Sequence, residues 1–182
     1  MRIVLGLEYC GVGFCGWQSQ LQGCGVQDAL EAAVSVIAGE KMSIIAAGRT
    51  DTGVHAALQV VHFDTAANRP LTAWVRGVNS HLPAGVAVLW AREASEDFHA
   101  RFAATHRGYR YVLLNHPVRP AINRGLIGWH HRPLDAAAMN LAAAHLIGQH
   151  DFYAFRAAAC RSKSPVKELR LAHVERRGDR CG

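Results

Sequence analysis

The residues best equipped for chemistry stand together in "AAGRTDTGVHA", residues 46–56. Arg49 supplies a permanent cation there, Asp51 a carboxylate and His55 an imidazole, with Thr50 and Thr52 flanking the carboxylate. A carboxylate on a short loop can serve as general acid, general base or nucleophile. It does so well only on a rigid mount, and the local sequence favours one. Gly48 and Gly53 permit a sharp path, the two threonines can cap neighbouring amides, and apolar runs anchor both ends in a sheet. No serine–histidine pairing, second carboxylate or phosphate-cradling G-K-[ST] stands beside it. The competing reading is an Arg49–Asp51 salt bridge that only shapes the loop.

A second group of residues is basic. The net charge is +6, and residues 92–182 carry +7 of it against −1 for residues 1–91. Between Asp97 and Asp135 there is no acidic residue but six arginines, Arg101, Arg107, Arg110, Arg119, Arg124 and Arg132. Guanidinium forks suit phosphates and the faces of bases. With Tyr109 and Tyr111 in the same stretch, the pattern points to a nucleic acid partner. The eleven histidines show no H-x-x-x-H or H-x-H spacing, so no metal site is expected. "GVGFCG" is a literal G-x-G-x-x-G, but a dinucleotide site needs a helix to start at once and an acidic residue after the next strand. Trp17 to Gly25 intervene instead. The glycines are better read as letting a loop approach something flat or charged, with Trp17 exposed beside them.

The elements that must position these groups interleave. "RIVLGLEY", "MSIIAA", "LQVVHFDT", "GVAVLWAREA", "RGYRYVLLN" and "VKELRLAHVERR" read as strands. "VQDALEAAVSVIAG", "LTAWVRGVNSHL" and "PLDAAAMNLAAAHLIGQ" read as helices. The class is therefore α+β, with mixed or antiparallel sheets carrying helices on one face. A join near Ala94–His99 gives two units, 1–97 with the reactive loop and 98–182 with the basic stretch. No apolar run approaches the ~20 residues of a membrane span. "MRIVLGLEYCGVGF" opens as a first strand rather than a signal peptide. The five cysteines form no C-x-x-C pair, and a chain of this size needs no disulfide staples, so a reducing cytoplasm is the natural setting.

On these residues the chain resembles the TruA family of tRNA pseudouridine synthases. "GRTDTGVHA" is similar to the family's active-site motif, and the likeness runs on through "LEYCGVGFCGWQSQ", "VQDALEAAV", "QVVHFDT", "GVNSHLP", "DFHARFAATHRGYRYVLLN" and "HDFYAFRAAACRSKSPVKEL". An aspartate commonly stands in the family where this chain has Cys10. The resemblance implies two similar α/β subdomains around a basic cleft and a homodimer that takes tRNA. It implies that Asp51 is the essential carboxylate, as nucleophile or as base. Arg49 would hold the target nucleotide out of its stem, Tyr109 would stack on the uracil, and Arg101, Arg107 and Arg110 would contact RNA. His55 would make a structural hydrogen bond. The implied reaction isomerises uridine to pseudouridine at positions 38, 39 and 40 of the anticodon stem-loop, with no cofactor. Family members continue through a further strand and an arginine-bearing helix, so the second subdomain is expected to be incomplete. The alternative is a remnant that binds tRNA without turning it over.

Overall fold

The structure, a computed structural model, describes residues 1–156 and 164–178. In β1 (Arg2–Tyr9) the alternation of the sequence puts Ile3, Leu5, Leu7 and Tyr9 on one face, all buried. Helix α1 (Val26–Ala38) packs onto that face through Val26, Leu30, Ala33 and Val34, the spacing visible in the sequence. It stops where Gly39 turns left-handed, with φ of 77°. β2 (Ile45–Ala46), β3 (Ala56–Asp64) and β4 (Val86–Ala94) complete an antiparallel sheet in the order β2-β3-β1-β4. A π-helical turn, Ala73–Gly77, runs into α2 (Val78–His81) over the same face. The sequence predicts a plain helix there. The wider turn instead carries Trp74, whose ring meets Phe63 edge-on at 5.2 Å. The expected mixture of α and β, with an antiparallel sheet and α1 and α2 on one face, is observed.

The opposite face of this sheet is covered by the chain after β4. His62 is buried there, and its Nδ1 accepts a hydrogen bond from the Ala100 amide at 3.1 Å. Arg2 binds both carboxylate oxygens of Asp64 at 2.8 and 2.7 Å and also donates to the Phe98 and Glu96 carbonyls. Packing divides the chain into two units, Met1–Arg110 and Tyr111–Gly182. Residues 98–110 thus lie with the sheet that Arg2 and His62 tie them to.

In the second unit β5 (Leu113–Asn115) pairs in parallel with β6 (Gly128–His130), and β7 (Gly148–Asp151) pairs antiparallel with β8 (Val166–Leu169). Helix α3 (Ala136–Ala144) is capped by Asp135, whose carboxylate accepts from the amides of Ala137 and Ala138 at 2.9 and 3.0 Å. No described side chain of this unit is buried. Three sequence expectations are corrected. The strand in "RGYRYVLLN" is confined to Leu113–Asn115, the last strand to Val166–Leu169, and α3 ends before Gly148, which turns to φ of 105° and opens β7. The cysteine reading is corrected as well. Cys15 and Cys24 form a disulfide, their Cα atoms 5.4 Å apart and the Cys15 amide donating to the Cys24 carbonyl at 2.9 Å. Cys10 is a free thiol, while Cys160 and Cys181 lie outside the described residues. Among the described residues no helix is long and apolar enough to cross a membrane.

Candidate active site

The loop from Ala47 to His55 is fastened at nearly every step. Sheet pairing reaches its first residue, since the Ala47 amide donates to the Val60 carbonyl at 2.8 Å. The buried Gln59 of β3 donates from Nε2 to the Gly48 carbonyl at 2.7 Å. The Thr50 carbonyl accepts from the Trp17 amide at 2.9 Å, and the Thr50 hydroxyl shares a hydrogen bond with the Tyr9 hydroxyl at 2.8 Å. A turn follows in which the Val54 amide donates to the Asp51 carbonyl at 3.2 Å, with Gly53 at φ of 78°. His55 makes the structural bond expected of it, its Nδ1 accepting from the Gly11 amide at 3.0 Å. The side chain of Asp51 is exposed at the tip. A carboxylate on this mount can attack, or take a proton from, a group brought to it from solvent.

Several readings change here. Thr50 was expected to cap an amide; it bonds Tyr9 instead. Two glycines of "GVGFCG", Gly11 and Gly16, do serve close approach, but to the loop of residues 47–55 itself. A Cβ on Gly11 would lie 2.3 Å from the Val54 carbonyl oxygen, and one on Gly16, at φ of 97°, 2.8 Å from that of Thr50. Trp17 is not exposed. It is 2 % accessible, its ring 5.8 Å from that of Tyr9, because its amide serves Thr50 and its ring fills the floor of the loop. Among the described residues Arg49 and Asp51 form no ion pair with each other, so a salt bridge is not what shapes the loop.

The other predicted residues divide into two groups. Arg107 donates to the Ala47 carbonyl and packs against Gly48, so it stands at the root of the loop. Tyr109 is 76 % exposed, yet it stands near enough to Tyr9 to act on it electrostatically. Burial raises the Tyr9 pKa, its hydrogen bonds to Thr50 and Gln59 pull it back, and Tyr109 raises it again. Tyr9 is therefore a neutral phenol with a proton to share. Arg101 lies over the Phe102 ring at 6.0 Å, and Arg110 is exposed; among the described residues neither bonds the loop. The sequence reading missed Tyr9 and Gln59 as parts of the site. Their signal was present: a hydroxyl and an amide inside buried strand sequence must find partners.

Comparison with known proteins fits this geometry. Residues 7–103, which contain the whole loop and its supports on β1 and β3, match the tRNA pseudouridine synthase family. A protein of Thiobacillus denitrificans named tRNA pseudouridine synthase A is 77% identical over 179 residues, which cover 98% of this chain and 69% of the relative. Relatives of the same name from Dechloromonas aromatica and Methylobacillus flagellatus are 60% and 62% identical, with 68% and 67% of their lengths covered. The chain thus spans about two thirds of the length of these relatives. A loop built to hold one exposed carboxylate, inside the matched segment and beside relatives this similar, leaves one assignment: the chain belongs to the tRNA pseudouridine synthase family.

Proposed function

We propose that the chain isomerises uridine to pseudouridine in tRNA and that Asp51 is the reacting carboxylate. The observation that carries this reading is the loop fastened on both sides of Asp51, with that carboxylate exposed at its tip. In the reaction the N1–C1′ glycosidic bond breaks, the detached uracil rotates, and C5 bonds to C1′, losing its proton to solvent while the freed N1 takes one up. No electron, phosphoryl group or added atom enters, so the chemistry requires no cofactor. An ionised carboxylate suffices, as nucleophile at the sugar or as base, if base and sugar are held together during the rotation. Arg49, beside Asp51 and not paired with it, fills the gap left by a flipped nucleotide and offsets part of the few kcal/mol that flipping costs. Tyr109, exposed and close to Tyr9, stacks on the uracil. Arg101, Arg107 and Arg110 contact the RNA backbone, Arg107 also bracing the loop.

The substrate sites on this reading are the uridines of the anticodon stem-loop, positions 38, 39 and 40, and the setting is the cytoplasm. On the same reading the chain forms two α/β subdomains and the working protein is a homodimer. The first spans about residues 1–97 and carries the loop; the second, from about residue 98, holds the acid-free arginine stretch and binds RNA.

The test is Asp51→Asn, assayed by tritium release from tRNA carrying 5-tritiated uridine. Pseudouridine formation is expected to vanish while tRNA affinity changes by less than about tenfold, roughly 1.4 kcal/mol. Turnover retained by the variant removes Asp51 from the mechanism. Binding without turnover in the unsubstituted chain favours the remnant reading.

A further inference from the structure

We infer that Tyr9 is a positioning residue for Asp51, acting through Thr50; the inference rests on the reading of Asp51 as the reacting carboxylate. Two peptide planes flank Asp51, and each is pinned by its carbonyl. The plane before it contains the Thr50 carbonyl, held by the Trp17 amide at 2.9 Å. The plane after it contains the Asp51 carbonyl, held by the Val54 amide at 3.2 Å. Because peptide units are planar, fixing both planes fixes the backbone torsions of Asp51. Only the rotation of its short side chain remains.

The Trp17 amide is one hydrogen bond on the Thr50 carbonyl, and alone it lets that plane rock about the carbonyl. The second tether is the hydroxyl pair Tyr9–Thr50 at 2.8 Å. Tyr9 is suited to anchor it. The ring is 3 % exposed in the core of the sheet and lies against Trp17, so the hydroxyl is a fixed point rather than a mobile one. Burial also holds Tyr9 protonated, which keeps the bond available across the neutral range. Tyr109, the stacking candidate, lies within electrostatic range of the same hydroxyl.

The experiment uses the full 182-residue chain with three variants of nearly unchanged shape. Tyr9→Phe removes only the hydroxyl, Thr50→Val removes only its partner, and Thr50→Ser keeps the partner. Amide hydrogen exchange over residues 47–54 is read in the free protein, and single-turnover pseudouridine formation is read beside tRNA affinity. Tyr9→Phe and Thr50→Val are expected to speed exchange in the loop about fivefold, the loss of one ordinary hydrogen bond, with β1 and β3 unchanged. The turnover rate falls by at least about as much while affinity holds, which a general loss of folding would not produce. Thr50→Ser recovers most of both. Wild-type exchange in Tyr9→Phe overturns the proposal, and so does faster exchange with an unchanged turnover rate. Asp51→Asn is the separate control: full activity in that variant defeats the reading of Asp51, while the exchange measurement still decides whether Tyr9 holds the loop.

Discussion

At the scale of single residues, the buried Gln59, His62 and Thr65 of the first unit are each tied to a named partner. His62 is the clearest case. Its pKa is held below the ordinary 6.5 by burial first, then by Arg2 and His99, with Asp64 opposing. Its Nδ1 must stay unprotonated to accept from Ala100. Well above pH 6.5 the imidazole is neutral in both folded and unfolded chains and contributes nothing to pH dependence. As pH falls through 6.5 the unfolded chain takes a proton that the native state refuses, so stability declines until the lower folded value is passed. Thermal denaturation followed from about pH 8 to 5 should therefore show a falling midpoint on the acid side. His62→Gln, which keeps a polar side chain without the titration, should flatten that limb. An unchanged limb would mean that another group sets it.

At the scale of elements, the sheet depends on a glycine whose reason is across the strand. Gly6 of β1 lies under the Trp90 ring of β4, and a Cβ there would sit 2.1 Å from it. Arg92 in turn lies 5.5 Å over the same ring. Gly6→Ala should cost about 1–3 kcal/mol, the usual penalty of overpacking. The cost should largely disappear in a Trp90→Ala background, read as coupling in a double-mutant cycle of denaturant unfolding. Elements with a strong apolar period were legible in the sequence: β1, α1, β3 and β4 lie close to where their patterns put them. The π-helical turn at Ala73–Gly77 was not, because its side-chain spacing is too near that of an α-helix over five residues. The three-residue strand β6 carries no period to read. In the site, the motif made Asp51 and Arg49 visible. Tyr9 was hidden because its ring satisfies the strand pattern and only its hydroxyl serves the loop.

At the scale of the whole molecule, charge and core are divided unequally. The first unit holds nine basic and nine acidic residues and every buried side chain among the described residues; the second holds eleven basic and five acidic and none. With no buried side chain among its described residues, the second unit's amides should exchange near the fast end of the local-opening range. Neutralising phosphates with the arginines of the acid-free stretch, from Arg101 to Arg132, would release counterions and make tRNA affinity fall steeply with salt. Binding should then slow exchange in residues 111–156 more than in β1, β3 and β4. Arg101→Ala with Arg110→Ala is the cleaner test of the salt slope, because Arg107 also holds the Ala47 carbonyl. A slope unchanged by that pair would place both guanidinium groups away from the RNA.

The bond between Cys15 and Cys24 turns residues 15–24 into a covalent ring with Leu21 fully exposed on its rim. Cutting the backbone at that rim would therefore not divide the polypeptide. β1 on one side and α1 on the other would remain one molecule joined through sulfur, and would part only when a reductant was added. Gly16 and Trp17, which meet Thr50, stand between Cys15 and the rim, so the nicked ring would keep its hold on the Asp51 loop.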